Sequence, residues 1–283
     1  MKVLSAAARF LKRLLRSEPE AVRTEHVLQG RLLLLRDVRS TFLDVARDIV
    51  IYLPPEYMDP GRRFPVLYMQ DGQNLFDPRT SFIPGKDWQL GETLDRETRA
   101  RRVAPLIVVA PYNAGVKRID EYTPTRDGKT AAGGGAGHYG RFLVEELKPF
   151  VDSQYRTRPD AQSTGVGGSS LGGLLSIYLG LTRPGVFGRI AAMSPSVWWD
   201  GEAIVSIARG TRAPAGQKVW LDMGTQEGRG ALAATQRLRD ALVASGYGRS
   251  LRYTEIRGGL HDETAWGKRT HRMLRFLFPP TSS

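Results

Sequence analysis

The chain has no cysteine among its 283 residues, which excludes disulfides, thiolate metal sites and a cysteine nucleophile, and leaves the compartment open. Histidine is scarce: His26, His138, His261 and His271 are the four in the sequence. Chemistry that needs an imidazole therefore has four candidates. No stretch is apolar for the ~20 residues that a membrane-spanning helix requires. The glycine-rich run "RDGKTAAGGGAGHYG" over 126–140 lacks phosphate-loop spacing and a Gly-Lys-Ser/Thr ending. It reads as a long mobile loop rather than a nucleotide cradle. No internal repeat and no linker divides the chain.

Acidic residues are in the minority, 29 against 41 Lys and Arg, for a net charge of +12. Such a balance suits anionic partners, although arginine-rich surfaces commonly serve solubility alone. No predicted strand interleaves aromatic and basic residues as single-strand binders do, so no nucleic-acid partner is expected and a purely binding role is the lesser alternative. The opening "MKVLSAAARFLKRLLR" starts like a signal peptide, but Lys12, Arg13 and Arg16 interrupt its apolar region and no small-residue cleavage site follows. It reads as a basic amphipathic helix with Phe10, Leu11, Leu14 and Leu15 on one side. Docking on the domain or fraying is expected ahead of contact with an anionic membrane surface. Residues 1–25 are thus expected as an extension, 26–283 as one domain, and the location as cytoplasmic.

What is present is a rhythm. "HVLQGRLLLLRDV" and "ARDIVIYLPPEY" read as two strands, antiparallel to each other. "FPVLYMQDGQN" and "PLIVVAPYN" are short continuous apolar runs closed by turn residues, the pattern of strands covered on both faces. A helical period follows in "YGRFLVEELKPFVDSQY". Then come "STGVGGSS" as strand, "LGGLLSIYLGL" as helix, "RIAAMSPS" and "KVWLDMGT" as strands, "ALAATQRLRDALVASG" as helix, "LRYTEIRGG" as strand and "TAWGKRTHRMLRFLF" as helix. The alternation predicts an α/β fold with a mostly parallel central sheet and helices on both faces. Ligands of such sheets sit beyond the carboxyl ends of the strands.

Gly168-Ser169-Ser170-Leu171-Gly172 is a G-x-S-x-G between a predicted strand and a predicted helix. A nucleophile on so sharp a turn needs small residues two before and two after it. Ser170 meets that requirement; Ser169 would put Leu171 at the second small position. A serine hydroxyl needs a base, and histidine accepts and returns a proton near neutrality. His26 precedes the sheet, His138 lies in the glycine loop and His271 falls inside the last helix. His261 stands alone in following the last strand, at the edge where Ser170 is expected. The acid that orients the imidazole should lie on the loop after the preceding strand, where "VWLDMGTQEG" offers Asp222 and Glu227. Asp222 falls within the strand run and Glu227 on the loop, so Glu227 is preferred and Asp222 stays open. Donors for an oxyanion are expected from the backbone N–H of Leu171 and of Gln73 in "MQDGQN".

Together these segments resemble the putative esterase family of α/β hydrolases, which spans siderophore esterases, feruloyl and acetylxylan esterases, esterase D-like enzymes and mycolyltransferases. The resemblance runs from about residue 36 to 278, through "VIYLPPEY", "FPVLYMQDGQNLFD", "RIDEYTP", "GGSSLGG", "MSPSVWW", "LDMGTQEG" and "GGLHDETAW". It implies a serine carboxylic-ester hydrolase with an acyl-enzyme intermediate, a feruloyl or other aryl, short acyl or siderophore-lactone ester as its small-molecule substrate, and no metal or organic cofactor. An acyltransferase of the same fold is the alternative. Mycolyltransferases carry a glutamate after Gly-Thr on the equivalent loop, which favours Glu227, and an oxyanion amide after Asp-Gly, which favours Gln73. Some siderophore esterases resemble Ser-His dyads, which makes the acid the least secure member. Trp88, Asn113, Arg118 and Trp198, with Tyr112, Tyr122 and Trp199, are candidates to line the substrate pocket. Arg118 is equally placed in the sequence to pair with Asp120 or Glu121 instead.

Overall fold

The computed structural model describes residue 10 and residues 19–280. Among the described residues nine strands form one sheet: β1 Glu20–Val22, β2 Arg31–Val38, β3 Arg47–Leu53, β4 Val66–Met69, β5 Ile107–Pro111, β6 Thr164–Ser169, β7 Arg189–Met193, β8 Lys218–Gly224 and β9 Leu251–Ile256. Their order across the sheet is β1-β2-β3-β5-β4-β6-β7-β8-β9. The first two strands and β3 against β5 pair antiparallel. From β5 through β4 to β9 every pairing is parallel. β4 and β5 are buried along their whole length, which is why their sequences are continuously apolar instead of alternating.

Helices cover both faces. On one face lie α1 Leu90–Arg99 and α8 Glu263–Leu277, whose Leu94, Trp266, Met273 and Leu277 share a core with Leu67, Val108, Ala191 and Trp220 of the sheet, α8 lying against β7 and β8. On the other lie α2 Arg118–Tyr122, α3 Ala136–Arg141, α4 Lys148–Gln154, α5 Leu171–Thr182, α6 Ala203–Arg209 and α7 Arg229–Leu242. α3 and α4 are joined by a π-helical segment, Phe142–Leu147. α5 is apolar nearly all round because it is buried all round. Gly180 lets it lie on β7, since a Cβ there would come within 2.1 Å of the Ile190 side chain.

Of the amphipathic helix expected over the first residues, Leu11, Leu14 and Leu15 lie outside the described residues. Phe10 is buried edge-on against Phe142, with ring centroids 6.3 Å apart. β1, within residues 1–25, extends the sheet by pairing with β2. Among the described residues no helix is long and apolar enough to cross a membrane.

Candidate active site

β6 turns into α5 at Ser170, whose backbone adopts φ 56°, ψ −124°. A non-glycine residue held there stores about 1–3 kcal/mol of strain, so the surroundings must over-determine it. They do so through three backbone hydrogen bonds. Ser170 N–H donates to the Met193 carbonyl at 3.1 Å, and the Ser170 carbonyl accepts from Leu174 and Ser196 N–H, both at 3.0 Å. The flanking glycines answer the same crowding. A Cβ on Gly168 would lie 2.9 Å from the Gly172 carbonyl carbon, and one on Gly172 would lie 3.0 Å from Cβ of Gln70.

His261 follows β9 after Gly258 and Gly259. Its Nε2 is 3.0 Å from Oγ of Ser170 and its Nδ1 is 2.5 Å from Oε2 of Glu227. Glu227 sits on the turn after β8 with its side chain buried. Its Oε1 accepts from the Ser194 hydroxyl at 2.6 Å and from Gly224 N–H at 2.8 Å. Burial alone would raise the Glu227 pKa. The hydrogen bonds from His261 and Ser194 outweigh it, and the carboxyl is held below its ordinary value. The imidazole remains 46 % exposed, open to a ligand from the solvent side.

Asp222, the other candidate acid, is fully buried in β8 and makes no contact with His261. Its carboxylate accepts from Trp220 Nε1 at 2.7 Å and faces Arg269 Nη2 at 3.0 Å. Burial pushes its pKa up against the pull of Arg269. Arg269 on α8 was not singled out in the sequence, yet its Nη2 also donates to Ser194 Oγ at 2.5 Å and lies 3.5 Å from Glu227 Oε1. Ser196 was likewise missed; its Oγ is 3.3 Å from that of Ser170. The remaining histidines lie elsewhere: His26 bonds Asp87 and Glu92, His138 is exposed on α3, and His271 is on α8.

Gln73 lies in the turn Gly72–Asn74 directly after β4, beside β6, so its backbone and that of Leu171, the first residue of α5, share the rim with Ser170. The turn is tight. Asp71 is left-handed at φ 57°, and a Cβ on Gly72 would meet the Ala110 carbonyl oxygen at 2.2 Å. Arg118 holds this turn with a bidentate pair to Asp71, Nε–Oδ1 2.7 Å and Nη2–Oδ2 2.8 Å. Asn113 donates from Nδ2 to the same carboxylate at 2.8 Å, and its backbone N–H donates to Gln73 Oε1 at 3.2 Å. Both residues, expected to line the substrate pocket, thus have their polar groups engaged by the turn that carries Gln73. The partner of Arg118 is Asp71 instead of Asp120 or Glu121; Glu121 pairs with Arg47.

The aromatic candidates separate by burial. Trp88 is core: it packs against Trp266 with centroids 5.9 Å apart, and Trp266 meets the His261 ring edge-on at 4.8 Å. Trp88 stands behind Trp266 as seen from His261, in the core shared by α1 and α8. Tyr122 and Trp199 are also buried, and Trp199 Nε1 donates to the Thr125 carbonyl. Trp198 is 58 % exposed. Phe82, Val116 and Leu260 are exposed on other loops that follow strands of the same sheet, and the sequence reading had not picked them out. Among the described residues no three of His, Asp and Glu gather in a way that could hold a metal ion.

A mostly parallel sheet with a serine at a strand-to-helix elbow and a histidine on the loop after the last strand has the architecture of the α/β hydrolases. The family model described as "Putative esterase" matches residues 40–277. The chain belongs to that family and is a carboxylic ester hydrolase. It is 28 % identical over 247 residues to the uncharacterized protein YbbA of Bacillus subtilis, covering 82 % of this chain and 92 % of that one. It is 27 % identical over 257 residues to the iron(III) enterobactin esterase of Dickeya dadantii, covering 81 % of this chain but 51 % of the relative. The crystal structure of the BES protein from Bacillus cereus superposes with a TM-score of 0.71 at 21 % identity, over 91 % of this chain and 98 % of that one.

Proposed function

We propose that the protein hydrolyses a small-molecule ester through Ser170, His261 and Glu227, and that its substrate is a lactone of the siderophore type. The observation that carries the reading is the unbroken contact from Ser170 Oγ through the imidazole to Glu227, 3.0 Å and 2.5 Å. Ser170 Oγ bonds to the ester carbonyl carbon as His261 Nε2 takes its proton. Glu227 keeps Nδ1 protonated and stabilises the imidazolium. The Leu171 and Gln73 amides face the oxyanion, each such donor being worth about 3–4 kcal/mol. The tetrahedral adduct breaks its C–O bond to the alcohol, which leaves with the proton from Nε2. Water then attacks the acyl-enzyme, its proton passes to Nε2 and on to Ser170, and the acid is released.

Support for the substrate class comes from the rim and the relatives. Trp198, Phe82 and Leu260 give an exposed apolar border suited to aromatic acyl groups, the net charge of +12 suits an anionic ferric catecholate, and the Dickeya relative is named for enterobactin. The test is a panel of p-nitrophenyl acetate, methyl ferulate and a tris-catecholate trilactone, assayed with the intact protein and with Ser170→Ala and His261→Ala. The trilactone should give the highest kcat/KM, and each variant should lose on the order of 10⁴-fold or more. Faster turnover of methyl ferulate would replace the substrate class. Activity surviving in Ser170→Ala would overturn the mechanism.

A further inference from the structure

A cavity of about 540 Å³ opens far from Ser170 between the β8–β9 edge of the sheet and the last turns of α8. Lys218, the first residue of β8, lines it, while Gly224, six residues on, reaches the rim; about 20 Å of strand lies between them. Residues two apart on a strand share a face, so Lys218 and Trp220 stand side by side. The parallel register sets Arg252 of β9 beside Trp220. α8 closes the cavity with Arg272, Arg275 and Phe276.

Four cations therefore converge on one hollow, and no carboxylate lines it. Arg275 is paired outward with Glu97 at 2.8 Å. Among the described residues, Lys218, Arg252 and Arg272 have no carboxylate partner within ion-pair reach. Two of them stack on one ring: Lys218 Nζ and the Arg252 guanidinium carbon lie 5.4 Å and 5.3 Å from the Phe276 centroid. Arginines in the last turns of α8 complement the helix carbonyls, and a charged edge strand discourages pairing with another chain. Lys218 on the inner strand β8 shares the first task, its Nζ reaching the Phe276 carbonyl at 3.5 Å, and is still without a counter-charge.

Lys218 is held below its ordinary pKa by burial and then by Arg189, and His271 by burial and then by Arg275, with Arg272 adding to it. A cluster so unbalanced is relieved by a counter-charge.

We infer that this cavity binds a multiply charged phosphate-bearing anion, at a site separate from the ester-hydrolysing one and additional to the function proposed above. Guanidinium forks match phosphate oxygens in two-point hydrogen bonds. The volume falls in the range of small-molecule sites, about 300–1,000 Å³, and has room for more than one phosphate group. The Trp220 and Phe276 rings, 6.3 Å apart, give the remainder of a ligand an apolar floor.

Inorganic pyrophosphate titrated calorimetrically into the full chain, with sodium chloride at matched ionic strength as the reference, tests this. Saturable binding is expected. The double variant Arg252→Gln/Arg272→Gln should weaken it at least about tenfold, since a charged hydrogen bond is worth about 1.5–3 kcal/mol. Both side chains are exposed, and an unchanged urea midpoint and p-nitrophenyl ester turnover would show that the variant is folded. Vesicles carrying a phosphorylated inositol lipid, compared with phosphatidylcholine vesicles, separate the sources. Retention on the former without saturable pyrophosphate binding assigns the phosphate to a lipid headgroup. Heats that follow ionic strength alone with no vesicle retention, or an affinity that the double variant leaves unchanged, would overturn the site.

Discussion

Arg269 Nη2 lies 3.0 Å from Asp222 Oδ1, and this buried pair is one contact removed from the site, because the same nitrogen is 3.5 Å from Glu227 Oε1. One cation thus faces two carboxylates, with the Ser194 hydroxyl joined to both it and Glu227. Replacing it by a neutral side chain leaves two buried acids without their counter-charge. Arg269→Met is expected to lose about 3–5 kcal/mol of stability. It should also move the acidic limb of kcat/KM to higher pH, because the Glu227 carboxylate gains affinity for a proton when a nearby cation is removed. Arg269→Lys should restore part of that shift. A stability loss with an unmoved pH profile would show that Arg269 only holds α8 in place.

The two candidate acids should separate in a side-by-side comparison. Glu227→Gln is expected to lower kcat by about 10³–10⁴-fold, the scale of losing the orienting acid of a triad. Asp222→Asn, which touches neither Ser170 nor His261, should keep kcat within about tenfold and register in stability instead. A larger kcat loss in the Asp222 variant would reverse the assignment.

The pH dependence of stability carries opposite signs at these positions. Glu227 has a folded pKa below its ordinary 4.5, so its contribution is present above that value and is lost as pH falls through the folded pKa. Asp222 has a folded pKa above its ordinary 3.8, so its contribution declines as pH rises through the window between the two. Urea denaturation of the wild type and Glu227→Gln should therefore converge on acidification from pH 5. A gap between them that widens in that range would contradict the cause given for the Glu227 shift.

How much of this could be read in the sequence depends on how local the cause is. The parallel strands were legible because burial on both faces leaves continuous apolar runs such as "PLIVVAPYN". That Ser170 occupies an elbow was legible because the crowding falls on Gly168 and Gly172, two residues away on either side. The meeting of Ser170, His261 and Glu227 could be anticipated from loop order, while their chemical roles rest on the proposal above. Contacts made across the fold left no local mark. Arg269 reads as one more charge on a basic helix, and Arg118 finds Asp71 47 residues earlier instead of the acids beside it. Trp88 was open to both readings because a large aromatic near a strand end looks the same in sequence whether it faces core or solvent.

Gly172 offers a test of the elbow that leaves every polar group in place. An alanine Cβ there would come within 3.0 Å of Gln70 Cβ and 3.2 Å of Asp71 Oδ2, and both belong to the turn that carries Gln73. Overpacking of this kind costs about 1–3 kcal/mol, readable as a lower urea midpoint. Turnover should fall by more than stability alone explains, since the displaced turn carries the Gln73 amide proposed to face the oxyanion. Full kcat in a folded Gly172→Ala protein would mean that the Gln73 amide is dispensable.

The two tryptophans at opposite depths give the clearest contrast. Trp198 is 58 % exposed and Trp88 only 3 %, so truncation should act through binding in one and through packing in the other. Trp198→Ala is expected to leave the urea midpoint unchanged and to raise KM for aryl esters by roughly 2–10-fold, the value of one aromatic contact at about 0.5–1.5 kcal/mol. KM for p-nitrophenyl acetate and kcat for both should stay as they are, because the indole meets the acyl group before and during reaction alike. Trp88→Ala empties a core position behind Trp266 and should cost about 3–5 kcal/mol of stability. Its effect on turnover would come through Trp266, whose ring braces the imidazole of His261. An unchanged KM for aryl esters in the Trp198 variant would place the acyl group on another part of the rim, where Phe82 and Leu260 are the exposed alternatives.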